Sequence, residues 1–133
     1  MPLAFPTLPR ATHCHPAWTF IAGLFGLTAV ALGAIASHAL SDPHATLAVE
    51  RAATYQLIHA VVLLYTTFLS GKLALIARSL LVLGIALFCG SIELKYLAAI
   101  PAASAFAPAG GVALMLAWLM LAVSGLVRST QKN

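Results

Sequence analysis

Arg51, Tyr55, His59 and Thr66 share one helical stripe, within roughly 80° on a 3.6-residue wheel, with Gln56 flanking it. The opposite side of that segment reads Leu57, Val61, Leu64 and Phe68. His59 is the member suited to a proton relay, because imidazole titrates near neutrality. Glu93 falls on a line with Ser79, Ala86 and Gly90, and Lys95 lies nearly opposite, where its stem lets the ammonium snorkel outward. If its helix ends near Ile100, Glu93 sits about seven residues, roughly 10 Å, inside, and His59 sits about eight residues, roughly 12 Å, beyond Arg51. The matched depths predict that Glu93 meets Arg51, Tyr55 and His59 across a helix interface. A register that begins this helix at Leu73 instead leaves Glu93 among headgroups, solvated. His38 lies just before the Asp42-Pro43 turn signal, where it either caps the same pocket or sits at a surface.

Four apolar stretches must position these groups. They run about 18–40, 51–70, 73–97 and 106–127. Each is close to the ~20 residues a helix needs to cross hydrocarbon. With 62% hydrophobic and 8% charged residues, the chain has no polar face left for water. Inside lipid every backbone group must be satisfied internally, which leaves helices or a closed barrel. The alternation that marks barrel strands is absent, so the expected fold is all-α, an integral-membrane four-helix bundle. The first stretch is longer than the ~7–15 apolar residues of a signal core and is expected to be a true span.

The domain plan is then a proline-rich tail over 1–17, the bundle over 18–127 and a short tail over 128–133. Both tails and the second connection lie on one side, with Arg10, Lys72, Arg78, Arg128 and Lys132. The other side has Arg51 and Lys95 and all three acids, Asp42, Glu50 and Glu93. Five basic residues against two predict both termini in the cytoplasm. The basic residues are scattered singly, so no nucleic-acid partner is expected. Cys14 and Cys89 lie in the tail and deep in the third span, too far apart to pair. His13, Cys14 and His15 have metal-capable side chains, but adjacent positions point in different directions.

Small residues line several faces. The first span carries Gly23, Gly26 and Gly33, the third Gly90, and the fourth Gly110 with neighbouring Gly111. Small side chains let helices approach closely where hydrophobicity no longer drives them together. These positions predict helix packing, within the bundle or against a partner chain.

Four motifs carry a resemblance. They are Gly33-Ala34-x-x-Ser37-His38-Ala39-Leu40, Tyr55-Gln56-x-x-His59-Ala60, Phe88-Cys89-Gly90-Ser91, and Pro108-x-Gly110-Gly111 followed by Trp118. In order and spacing they resemble the YgdD-like family of small inner-membrane proteins, catalogued as a domain of unknown function. The likeness extends over nearly the whole chain after Pro16. Ser37 stands where the family usually has Ala, and Ala117 where it has Gly before Trp118. Ser91 and Lys95 replace an acid and an arginine, and an acid occurs at Glu93 instead. The resemblance implies a four-helix protein of the bacterial inner membrane and supplies no catalytic residues.

Function is expected to be non-enzymatic. No nucleophile–base pair, metal-ligand spacing or phosphate loop is visible, and neither cofactor nor metal is expected. The leading reading is a structural or accessory subunit that forms a homo-oligomer or docks on a larger membrane complex, with the lipid bilayer as its surroundings. One alternative is a small proton-coupled carrier or channel using His59 and Glu93, although no inverted repeat relates the halves. Another is a haem or quinone binder using His38 and His59, against which their offset of roughly 10 Å counts for a single iron.

Overall fold

The computed structural model describes residues 15–130, with the side chains of 128–130 excepted. The expectations for Arg10, His13, Cys14 and Lys132, and for the side chain of Arg128, lie outside the described residues.

Four helices follow in order: α1 Pro16–Ala39, α2 Pro43–Thr66, α3 Lys72–Leu97 and α4 Ala107–Thr130. A 3₁₀ turn, Pro101–Phe106, leads into α4. All four are long and apolar enough to cross a membrane. A 24-residue helix such as α1 or α2 is about 36 Å long, enough for a bilayer core of roughly 30 Å.

Local chemistry sets the ends. Proline stands at the start of α1 and of α2, where its missing N–H costs nothing. The Asp42 carboxylate caps α2, accepting from the His44 and Ala45 N–H groups at 3.2 Å each. Gly71 precedes α3 with φ 104°, a conformation that disfavours a side chain. The cap at Asp42 corrects the expected second span: the helix starts at Pro43, eight residues before Arg51, and ends at Thr66. Glu50 and Arg51 are therefore inside the helix rather than at its mouth. A reading by apolar run alone stops at the first charges, whereas a capped helix continues through them.

Short connections make successive helices antiparallel neighbours. α1 packs on α2, α2 on α3, and α3 on α4, with the 3₁₀ turn against α3 and α4. Ala22, Ala52, Leu63, Leu81, Ile85, Cys89, Leu114 and Ala117 form the shared core. Alanine from α1, α2 and α4 against leucine and isoleucine from α3 brings the backbones close and keeps density high.

The glycines divide into two groups. A Cβ on Gly110 would lie 2.7 Å from the Leu87 carbonyl carbon and 2.8 Å from Phe88 Cα, so α4 crosses α3 there in backbone contact. Gly111 faces the Phe88 ring at an ordinary 3.7 Å, and Gly33 reaches Ala53 at 4.0 Å. Gly84, which the sequence reading passed over, receives Leu114. Gly23, Gly26 and Gly90 have nothing within 4 Å, so the described protomer itself does not use them for packing.

Candidate functional site

The polar residues of α2 turn to two different sides. Gln56, 3% exposed, reaches α1. Its amide nitrogen donates to the Phe25 carbonyl at 3.0 Å and to Thr28 Oγ1 at 2.7 Å. Thr28 in turn donates to the Leu24 carbonyl at 2.9 Å. This is a mid-helix clamp between α1 and α2, of the kind worth about 0.6 kcal/mol per bond on average in a membrane.

His59, 6% exposed, faces α3 and α4. Its Nδ1 lies 2.6 Å from the Tyr55 carbonyl one turn back. Trp118 Nε1 donates to His59 Nε2 at 3.2 Å. A carbonyl can only accept and an indole N–H can only donate, so the proton sits on Nδ1 and the ring is neutral. Tyr55 stacks on His59 at 6.2 Å between centroids and meets Phe88 edge-on at 5.7 Å. These rings, with Ile58 and Met115, border a cleft of about 450 Å³ between α2, α3 and α4. Both histidine nitrogens are engaged, so this site can bind an apolar or aromatic body by shape. It offers no free base. Trp118 is the partner the sequence reading missed. In the sequence it stands only as a motif residue, and pairing residues 59 positions apart needs the tertiary fold.

Glu93 does not join that cluster. It is half-buried and lines a groove of about 340 Å³ with Gln56 and Thr28, on the α1 side. Its Oε1 is buried without a hydrogen-bond partner. The predicted meeting with Arg51, Tyr55 and His59 is thus corrected, and the reason is register. The start of α2 and the end of α3 lie on the same side of the bundle. His59 is about 24 Å along α2 from Pro43, whereas Glu93 is about 6 Å from the end of α3. The line through Ser79, Ala86 and Gly90, predicted to face inward, borders open space instead. The buried line of α3 is Ala74, Ala77, Arg78, Leu81, Ile85 and Cys89.

Arg51 and Tyr55 are exposed on α2, and His38 is exposed at the end of α1. The polar contact at that end is a different one. Ser37 donates to Glu50 Oε1 at 2.8 Å, joining α1 to α2. At the opposite end Arg78, marked in the sequence only as a charge, is 3% exposed. It donates to the Ala74 carbonyl at 3.2 Å and the Leu69 carbonyl at 3.3 Å. Its guanidinium lies 5.8 Å from the Trp18 ring. Among the described residues no group of three metal-ligating side chains converges.

A family model described as protein of unknown function (DUF423) matches residues 32–111, which include Gln56, His59, Glu93 and Gly110. The UPF0382 membrane protein YwdK of Bacillus subtilis is 35% identical over 108 residues, covering 75% of this chain and 88% of its own. A UPF0382 membrane protein of Staphylococcus epidermidis is 32% identical over 112 residues, covering 80% of this chain and 92% of its own. No solved structure matches.

Proposed function

Because this chain belongs to the DUF423 family of membrane proteins, we propose that it is a non-enzymatic component of the bacterial inner membrane. In this reading it acts as a homo-oligomer, or as the accessory subunit of a larger membrane complex. One observation carries the reading: α1 is the least covered helix, with 17% of its most apolar window buried against 39% in α2 and in α3. Its outward face presents Phe20, Gly23, Leu27 and Val30, and Gly23 has no neighbour within 4 Å. A glycine among large apolar residues leaves a notch that a second helix can enter to backbone distance. The interior polar groups support the same view. Gln56 and His59 are spent on holding helices together, and a proton route through both His59 and Glu93 would have to bridge about 18 Å along the bundle.

The test is the mass of the particle extracted from its own membrane with a small belt of native lipid. The wild type is expected as a dimer or larger assembly, and Gly23→Ile is expected to release protomers. Ile at this position meets open space, so the protomer itself should fold. A wild-type protein found only as a single copy without companions sinks the proposal.

The same proposal places both termini in the cytoplasm. Lys72 at the start of α3 and Arg78, whose guanidinium reaches back to the Leu69 carbonyl, support that orientation, together with the basic residues of the tails. A phosphatase reporter, active only outside the cytoplasm, should stay silent when fused after Asn133. Strong activity there would reverse the topology.

A further inference from the structure

The groove between α1 and α3 has a composition that the assembly role does not use. Its walls are Phe25, Leu32 and Ile35 of α1, with Ala86 of α3. Its polar atoms come from Thr28, Gln56 and Glu93, and among the described residues Glu93 is the only ionisable side chain that lines it. The two ends differ. Ile35 and Glu93 lie one turn from the ends of their helices, whereas Thr28 and Gln56 sit deep along theirs. Gln56 spends its amide nitrogen on Phe25 and Thr28, and its side-chain oxygen takes part in neither bond. Glu93 Oε1 is buried and also without a donor.

We propose that this groove binds a hydrophobic cation, with the positive centre beside Glu93 and the apolar body lying along Leu32 and Ile35 towards Phe25. Acidic side chains inside membranes are costly unless paired, and among the described residues Glu93 Oε1 has no partner. In this proposal the missing partner is a donor or a cation from outside the protomer. An inorganic ion does not suit the place. Calcium takes about six to eight oxygen ligands, and magnesium a full octahedron. The groove offers one carboxylate, one amide oxygen and one hydroxyl, spread along its length. A large organic cation needs no such shell, because its charge is diffuse and its dehydration cost is small. An ammonium lipid headgroup and a diffusible lipophilic cation share this chemistry. Glu93, about 6 Å from the helix end, lies at a depth that either can reach.

The probe is tetraphenylphosphonium, with tetraphenylborate as a control of like size and opposite charge. The full chain is placed in nanodiscs of digalactosyldiacylglycerol, an uncharged lipid without an ammonium group, and binding is measured by equilibrium dialysis against empty discs. Saturable uptake of the cation is expected, with no saturable uptake of the anion. Glu93→Gln should weaken it at least tenfold, and Ala31→Leu, which fills the groove without touching the carboxylate, should do the same. The two variants act by charge and by volume, so failure of one to fold leaves the other informative. Adding phosphatidylethanolamine distinguishes the sources. Competition identifies a headgroup occupant, its absence a diffusible cation, and both outcomes uphold a cation site. Equal binding of both ions, or full affinity in Glu93→Gln, overturns the proposal whatever the oligomeric state.

Discussion

Gly110→Val is expected to separate α4 from α3 and abolish a cooperative melt, while Gly111→Ala leaves the melting temperature unchanged or slightly raised. The two positions are adjacent and both belong to the first turns of α4, so helix propensity alone would rank them alike. Their surroundings differ. At Gly110 the atoms in the way are backbone, the Leu87 carbonyl carbon and Phe88 Cα, which cannot rotate aside. Overpacking costs about 1–3 kcal/mol where side chains can give, and more where they cannot. We expect about 3 kcal/mol or more for valine. At Gly111 the neighbour is the Phe88 ring at 3.7 Å, an ordinary contact. Replacing a helical glycine there also recovers up to about 1 kcal/mol of backbone entropy. Fluorescence-detected melting in mild detergent reads both. Similar melts for the two variants would mean that the helices do not cross at Gly110.

Arg78→Ala should cost about 2 kcal/mol, an effect larger than that of any single polar clamp between the helices. The guanidinium donates to the Leu69 carbonyl of the α2–α3 connection and to the Ala74 carbonyl in the first turn of α3, and bonds to a charged group are worth about 1.5–3 kcal/mol each. Its place over Trp18 adds about 0.5–1 kcal/mol. Against this, Nη1 is buried without a partner, which removes part of the gain. The connection after α2 ends in exposed Ser70 and Gly71. Arg78→Met separates the causes by keeping the apolar stem and removing the charge. It should fall between alanine and wild type in the same melting assay. If methionine matches the wild type, packing of the stem is the whole effect and the two hydrogen bonds contribute nothing.

The resemblance carried by four short motifs agrees with the family match, and several motif residues hold helices together. Gly110 is a crossing point, Gln56 a clamp, and His59 the acceptor for Trp118. Their pattern in the sequence could be quoted without its meaning being visible. Gln56 and His59 are three residues apart on a helix, yet one bonds to α1 and the other to α4. A helical wheel places both near one stripe, and a stripe only about 80° wide is still broad enough to touch two neighbours. The placement of Glu93 failed for a related reason. The matching depth of His59 counts from Arg51, but Asp42 moves that end of α2 by eight residues, and each residue shifts a side chain by about 1.5 Å.

Length, apolarity and turn chemistry are local properties, and they suffice for four spans, their order and their antiparallel neighbours. Lipid enforces this, since a backbone without water has almost no alternative to the helix. Which face of each helix turns inward is another matter. In α1 and α3 nearly every face is apolar, so no hydrophobic gradient orients them, and small residues are equally suited to the interior and to a partner. Only the assembled helices distinguish the buried line through Leu81 and Cys89 from the open one through Ala86 and Glu93. That choice rests on the fit of side chains across interfaces, such as Gly110 against Phe88 and Trp118 against His59. Such fit depends on pairs distant in the chain.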